Sequence, residues 1–246
     1  MKAAPDVQLR LLDLQEIDTA LDRLNHRRRT LPELAEIARL DGRAAELRDQ
    51  VVNADTEVSD ISREQSKAEA DVDQVRARAE RDQKRLDAGQ VSSPKELENL
   101  QSEIESLGRR QSELEDGVLE IMERRETAEA SRTELTAERD RLAGELGGLT
   151  EKRDAAQAEI DGELGETGGR RAEIAKEIPD DLLALYERLR GQYGTGAAAL
   201  KAGRCEGCKL ALSTVDLNDI RTSADDEVTR CPECRRILVR TPESGL

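Results

Sequence analysis

From Leu40 onward the apolar residues of this chain fall at alternating spacings of four and three. They are Leu40, Ala44, Leu47, Val51, Ala54, Val58, Ile61, Ala68, Val72, Val75, Ala79 and Leu86, interrupted only at Gln65 and Asp82. A 3.5-residue repeat sustained over this length keeps one narrow seam facing a partner helix, which is the pattern of a coiled coil. A second series starts at Leu97 and runs through Leu100, Ile104, Leu107, Leu114, Val118, Ile121, Ala128, Leu135, Leu142, Leu146, Leu149, Ala156 and Ile160. Arg125, Arg132, Arg139 and Arg153 occupy seam positions in it. Their stems cover apolar surface while the guanidinium reaches water, so the middle of this arm is expected to be the looser part.

The stretch "AGQVSSPKEL" separates the two series. Gly89 suits a helix end. Ser93, Pro94 and Glu96 read as N-cap, first helical residue and capping-box partner of the next helix. Two long heptad arms joined by a short turn predict an antiparallel hairpin, because the tethered partner is always at high effective concentration. The predicted hairpin covers about 31–165, with its turn at 88–94.

Flanking elements follow from local signals. A separate first helix is expected over about 6–28, since the series from Leu14 to Leu31 is out of register with Leu40. Thr30-x-x-Glu33 reads as a capping box opening the next helix. The four glycines of "DGELGETGG" (161–169) predict fraying, a bend or an end of the second arm. A connecting helix would then run to 178, closing a helical region of 1–178. Pro179 separates it from "DDLLALYERLR", whose apolar face needs a cover. The remainder, 179–246, reads as that short helix plus a small C-terminal domain.

Composition agrees with a rod and argues against a large globular core. Charged residues make up 38% and aromatics 1%, with no Phe, no Trp and two Tyr. Disorder would suit the same composition, but disordered chains have no reason to keep a heptad register. Residues 200–246 carry eight basic and eight acidic side chains, so the whole net charge of −15 lies in the helical part. An acidic rod does not attract nucleic acid along its length. No stretch approaches the ~20 apolar residues that span a bilayer, and the N-terminus lacks the apolar run of a signal peptide. The expectation is a cytoplasmic protein with no membrane partner.

All four cysteines lie in "RCEGCKLALS" and "RCPECRRILV". Cys205-x2-Cys208, 22 residues, then Cys231-x2-Cys234 is the spacing of two turns that each bring two sulfurs to one side of a tetrahedral metal. Zinc, one ion per chain, is the expected cofactor, iron being the other metal such a cage accepts. A thioredoxin-like site would need a βαβ setting that is not visible, and a disulfide pair would need an oxidising compartment. Four thiolates leave no open position for catalysis, so the site should stabilise a fold that is too small to stand alone. "AAALKAG", "KLAL", "EVTR" and "RILV" read as short strands around the turns, with a short helix capped by Ser213 or Thr214 between them. Lys209 and Arg235 stand where a residue at positive φ is expected. Arg204, Arg230, Arg235, Arg236 and Arg240 surround the cysteines, either contacting nucleic acid or balancing a cage whose net charge is −2. The only histidine, His26, falls on an expected surface turn and is assigned no role. No Ser-His-Asp set, phosphate-cradling loop or carboxylate pair is present.

"PKELENLQSEIESL", "LLALYERLR", "GRCEGCKLALS" and "RCPECRRILV", in this order, resemble the bacterial C4-type zinc-ribbon proteins with an N-terminal coiled-coil hairpin. The resemblance implies a mainly α fold, a long antiparallel coiled-coil hairpin with a small C-terminal β zinc-ribbon domain. It carries the metal role onto Cys205, Cys208, Cys231 and Cys234. It also implies a nucleic-acid-binding or regulatory protein without enzymatic activity. The family's last turn usually reads CPxCGR, and Arg235 stands in place of that Gly here. The functional expectation is a non-enzymatic adaptor or regulator. Its ribbon would meet RNA or DNA and its coiled coil would be a spacer and protein-binding arm. The alternative is a purely protein-binding, chaperone-like scaffold in which the ribbon is only structural. A metal-dependent nuclease or a redox enzyme is the third and least favoured reading.

Overall fold

The computed structural model describes residues 1–246. Four helices are followed by a small sheet: α1 (Pro5–Arg29), α2 (Pro32–Asp87), α3 (Pro94–Lys176), α4 (Asp180–Tyr193), β1 (Ala197–Lys201), β2 (Arg204–Cys205), α5 (Thr214–Thr222), β3 (Thr229–Arg230) and β4 (Ile237–Val239). The chain divides into two units, one made of 35–150 and the other of 1–34 with 151–246.

The 35–150 unit is the antiparallel helical hairpin that the heptads predict. Partner numbers fall along α3 as they rise along α2: Arg43 pairs with Glu138, Glu64 with Arg124 and Arg76 with Glu115. Leu40, Leu47 and Leu142 form one buried cluster, and Val58, Ile61 and Ala128 another. Gln65, which interrupts the first apolar series, stays in register and is buried. The arginine it meets interrupts the second series: Arg125 Nη1 donates to Gln65 Oε1 at 2.9 Å. One exception from each series thus joins in a single polar layer, and a polar layer of this kind fixes register at some cost in stability.

At the turn, the backbone N–H of Glu96 donates to Ser93 Oγ at 3.3 Å. Glu96 reaches back to the N–H of Ser92 at 3.0 Å rather than to that of Ser93, so the capping box closes one residue early. Gly89 turns the chain at φ 63°. The other expected capping box does not form. Thr30 ends α1 and donates its hydroxyl to the His26 carbonyl at 2.9 Å, while one carboxylate oxygen of Glu33 is buried without a partner. His26 itself lies in the last turn of α1.

The expected interruption at 161–169 is also absent, because α3 runs unbroken through all four glycines to Lys176. The helix carries these glycines, at about 1 kcal/mol each, with α1 running alongside it. There Arg27 and Arg28 reach Glu163 and Asp161, Arg10 reaches Glu177, and Ile160 is fully buried.

The second unit packs α1 and α4 on one face of the sheet. Leu11 and Leu14 of α1 meet Leu182, Tyr186 and Leu189 of α4, together with Ala197, Ile237 and Val239 of the sheet. The first helix therefore covers the apolar face of α4. Strand order is β2-β1-β4-β3, with β1 and β4 parallel and both outer pairings antiparallel. "KLAL" forms no full strand; only Ala211 makes a bridge, to Arg204. Residues 1–3 run antiparallel to 226–228, just before β3, with Lys2 bridging Glu227 and Ala3 in the same core as α1 and α4. No helix is long and apolar enough to cross a membrane.

Candidate metal centre

Each cysteine pair sits in the same backbone device. In the first turn, the Lys209 N–H donates to the Cys205 carbonyl at 2.7 Å and the Cys205 N–H to the Leu210 carbonyl at 3.0 Å. In the second, the Arg235 N–H donates to the Cys231 carbonyl at 2.9 Å and the Cys231 N–H to the Arg236 carbonyl at 2.9 Å. Lys209 and Arg235 adopt φ of 62° and 64°, as their place after each second cysteine predicts. A side chain there costs about 1 kcal/mol. The arginine preceding each turn offsets that cost. Arg204 donates to the Lys209 carbonyl at 2.9 Å and Arg230 to the Arg235 carbonyl at 2.8 Å, each gripping the residue held at positive φ.

The four sulfurs lie within 4.8 Å of one another. Cys205 Sγ is 3.8 Å from Cys234 Sγ, and Cys208 Sγ is 3.9 Å from Cys231 Sγ. A tetrahedron with metal–sulfur bonds of about 2.3 Å has edges of about 3.8 Å, so the residues fit one zinc ion. Both of these close pairs cross between the two turns, and each turn supplies half of the cage. Cys205 and Cys231 are fully buried and pack with Ala198, Leu200, Leu212, Ile220 and Leu238 beneath the site.

Burial pushes the Cys205 and Cys231 thiols up, the latter to about 12, against backbone N–H donors of the same turn that pull them down. Cys234 goes the other way. Burial would raise it, but the backbone and side-chain donors of Arg236, with Cys231 and Cys208, bring it down to about 7. Metal binding requires thiolates, so these donors are the groups that stabilise the ligand form of the cage.

The surrounding arginines separate into two groups. Arg236 and Arg240 are turned onto backbone carbonyls: Arg236 onto Tyr193 and Thr195, Arg240 onto Ile220, Ser223, Ala224 and Glu227. Arg204 and Arg230 each make one carbonyl bond and remain exposed. Arg235 is exposed and makes no side-chain hydrogen bond.

A second cluster escaped the sequence reading. Asp18 of α1 is fully buried; it accepts from Tyr186 at 2.6 Å and from Arg171 Nε at 2.6 Å, and pairs with Arg190 at 3.2 Å. Gln15, one turn earlier, accepts from the Gly196 N–H at 2.7 Å and from Tyr186 at 3.3 Å. The available signal was a Gln and an Asp at i and i+3 on the apolar stripe of Leu11, Leu14 and Ile17. Burial and the Asp18 carboxylate raise the Tyr186 phenol well above its ordinary value, and Asp18 then Glu187 raise Arg171. All of these side chains join α1, α3 and α4, and they read as a structural network.

A model of the CT398-like coiled coil hairpin domain matches residues 14–194, and one of the C4-type zinc ribbon domain matches residues 204–238. An uncharacterized protein of Mycobacterium tuberculosis is 35% identical over 240 residues, 98% of either chain. A solved structure from Mycobacterium smegmatis matches with a TM-score of 0.87 at 36% identity, covering 98% of this chain and all of that one. The structure of CT398 from Chlamydia trachomatis has the same fold, with a TM-score of 0.71 at 19% identity, covering 96% of this chain and 98% of that one.

Proposed function

Because this chain belongs to the CT398-like coiled-coil hairpin family and ends in a C4-type zinc ribbon, we propose that it is a non-enzymatic adaptor or regulator. Its hairpin is the protein-binding arm and its ribbon is a folded module held by one structural zinc. The observation that carries this reading is the closed cage. Four cysteine sulfurs at tetrahedral spacing leave no position for a substrate or an activated water. The hairpin offers exposed apolar side chains to a partner, among them Val52, Leu119 and Met122. Cysteines used as metal ligands rather than as disulfides suit a cytoplasmic setting.

A second reading, RNA or DNA binding by the ribbon, is favoured by Arg204, Arg230 and Arg235, which stand exposed around the cage. Against it, the segment 200–246 is charge-balanced, and Arg236 and Arg240 are engaged with carbonyls. Crosslinking in cells, followed by identification of both protein and RNA attached to the zinc-loaded chain, separates the two. Protein adducts that map to α2 and α3 support the adaptor. Salt-dependent nucleic-acid binding abolished in Arg204→Glu/Arg230→Glu/Arg235→Glu supports the second reading. Recovery of neither adduct overturns both.

A further inference from the structure

We propose that Arg236 is a positioning residue that couples zinc binding to the C-terminal end of α4. Its backbone belongs to the second cysteine turn, where its carbonyl accepts from the Cys231 N–H at 2.9 Å. Its stem lies against the first turn, since a Cβ added at Gly207 would stand 2.9 Å from Arg236 Cδ. From beside Cys234, its guanidinium then reaches beyond the ribbon core. Nη2 donates to the Tyr193 carbonyl at 2.9 Å, and Nε donates to the carbonyl of Thr195 at 3.2 Å and to its hydroxyl. The guanidinium carbon lies 5.6 Å from the Tyr193 ring centroid, within cation–π range.

Tyr193 is the last residue of α4, and Gly194 is its left-handed cap. A helix end leaves carbonyls without intrahelical partners and favours a cation. Arg236 supplies both donors and charge there, from a residue whose position is set by the cage. The two cysteine turns are not covalently joined; besides the β1–β4 pairing and the small core they share, metal–thiolate bonds would hold them together. Arg236 touches both turns, so its direction depends on both being in place.

The segment it holds leads onward. The Gly196 carbonyl accepts from the Ile237 N–H at 3.0 Å, and the Gly196 N–H donates to Gln15 of α1. Zinc occupancy therefore reaches α1 through residues 193–196. Linkage makes the effect reciprocal, so loosening this junction weakens zinc binding by the same factor.

Hydrogen exchange on the full chain, zinc-loaded and after chelation, tests the coupling in wild type, Arg236→Lys and Arg236→Met. In wild type, zinc removal should speed exchange of the 194–198 amides by about tenfold or more, while amides 45–60 of α2 keep their rates. Zinc-loaded Arg236→Met, its metal content verified, should already exchange this segment at the zinc-free rate. In chelator competition its zinc affinity should drop roughly 10- to 100-fold, the usual effect of losing an outer-shell partner. Arg236→Lys, which keeps the charge but not the fork, should fall between. Wild-type protection of 194–198 that survives chelation would overturn the proposal, as would full protection in loaded Arg236→Met. If Arg236→Met takes up no metal, Thr195→Val decides: faster exchange confined to 194–198 supports the coupling, and unchanged exchange there refutes it.

Discussion

The phenol of Tyr186 donates a 2.6 Å hydrogen bond to Asp18 Oδ2, and neither residue has exposed surface. The bond ties α4 to α1 within a group that also holds Arg171, Arg190 and Gln15. Burial first, and then the neighbouring carboxylate, push the phenol's pKa up in the folded chain. A group raised on folding contributes stability that is complete below its unfolded value, about 10, and is lost as pH rises from there through the folded value. Stability measured by urea unfolding should therefore fall above about pH 10, by up to about 1.4 kcal/mol per unit from this group. Tyr186→Phe should lose about 1.5–3 kcal/mol near neutral pH and show a flatter alkaline limb. Equal alkaline slopes in the two proteins would show that Tyr186 is not the group responsible.

Gly196 is fixed by space. A Cβ there would sit 2.5 Å from the Tyr186 carbonyl oxygen and 2.6 Å from the ring. Gly196→Ala must push the backbone away from α4 and so stretch the bond from its N–H to Gln15. A loss of about 1–3 kcal/mol is expected, read from the thermal midpoint of the zinc-loaded protein. Gly191, with open space around it, is the control: Gly191→Ala lies within α4 and should not destabilise.

Removing the metal should unfold only part of the chain. The buried clusters of the hairpin contain no residue of the ribbon, whereas the core beneath Cys205 and Cys231 is only a handful of side chains. Cys231→Ser should bind no zinc by elemental analysis, lose the dispersed amide signals of residues 197–240, and keep most of its helical circular dichroism at 222 nm. Loss of the helical signal together with zinc would show that the hairpin depends on the ribbon.

The Gln65–Arg125 layer gives a test of specificity against stability. Gln65→Leu removes the hydrogen bond that Arg125 makes across the hairpin, leaving it only the Glu129 ion pair on its own helix, and should cost about 1–3 kcal/mol. Gln65→Leu/Arg125→Leu restores an apolar layer and should be at least as stable as wild type by urea unfolding. It should also form additional oligomers by light scattering, because no polar layer then fixes the register. A double variant as unstable as the sum of its single changes would refute the pairing.

Local sequence pattern predicts structure best where it is repeated or where few residue types can do the chemistry. The heptads of α2 and α3 and the Ser93–Pro94 restart of the helix carried the hairpin. The cysteine spacing carried the cage, including positive φ at Lys209 and Arg235. Pattern failed where a local preference met a competing contact, local or tertiary. Thr30-x-x-Glu33 has the spacing of a capping box, yet Thr30 closes the helix before it. Four glycines between 161 and 169 weaken α3 locally, yet α1 lies alongside and holds it. The arginines around the cysteines were legible as a group, but not the difference between Arg236 and Arg240, engaged with carbonyls, and Arg235, which is free.

Periodicity and ligand spacing are short-range properties, so the sequence by itself determined that this chain makes a coiled-coil hairpin and a four-cysteine zinc site. Which helix covers α4, where Asp18 finds its cations, and which carbonyls Arg236 caps depend on residues more than 40 positions apart. Such contacts are chosen by shape and by the need to satisfy every buried charge and carbonyl at once, and only the tertiary structure decided them.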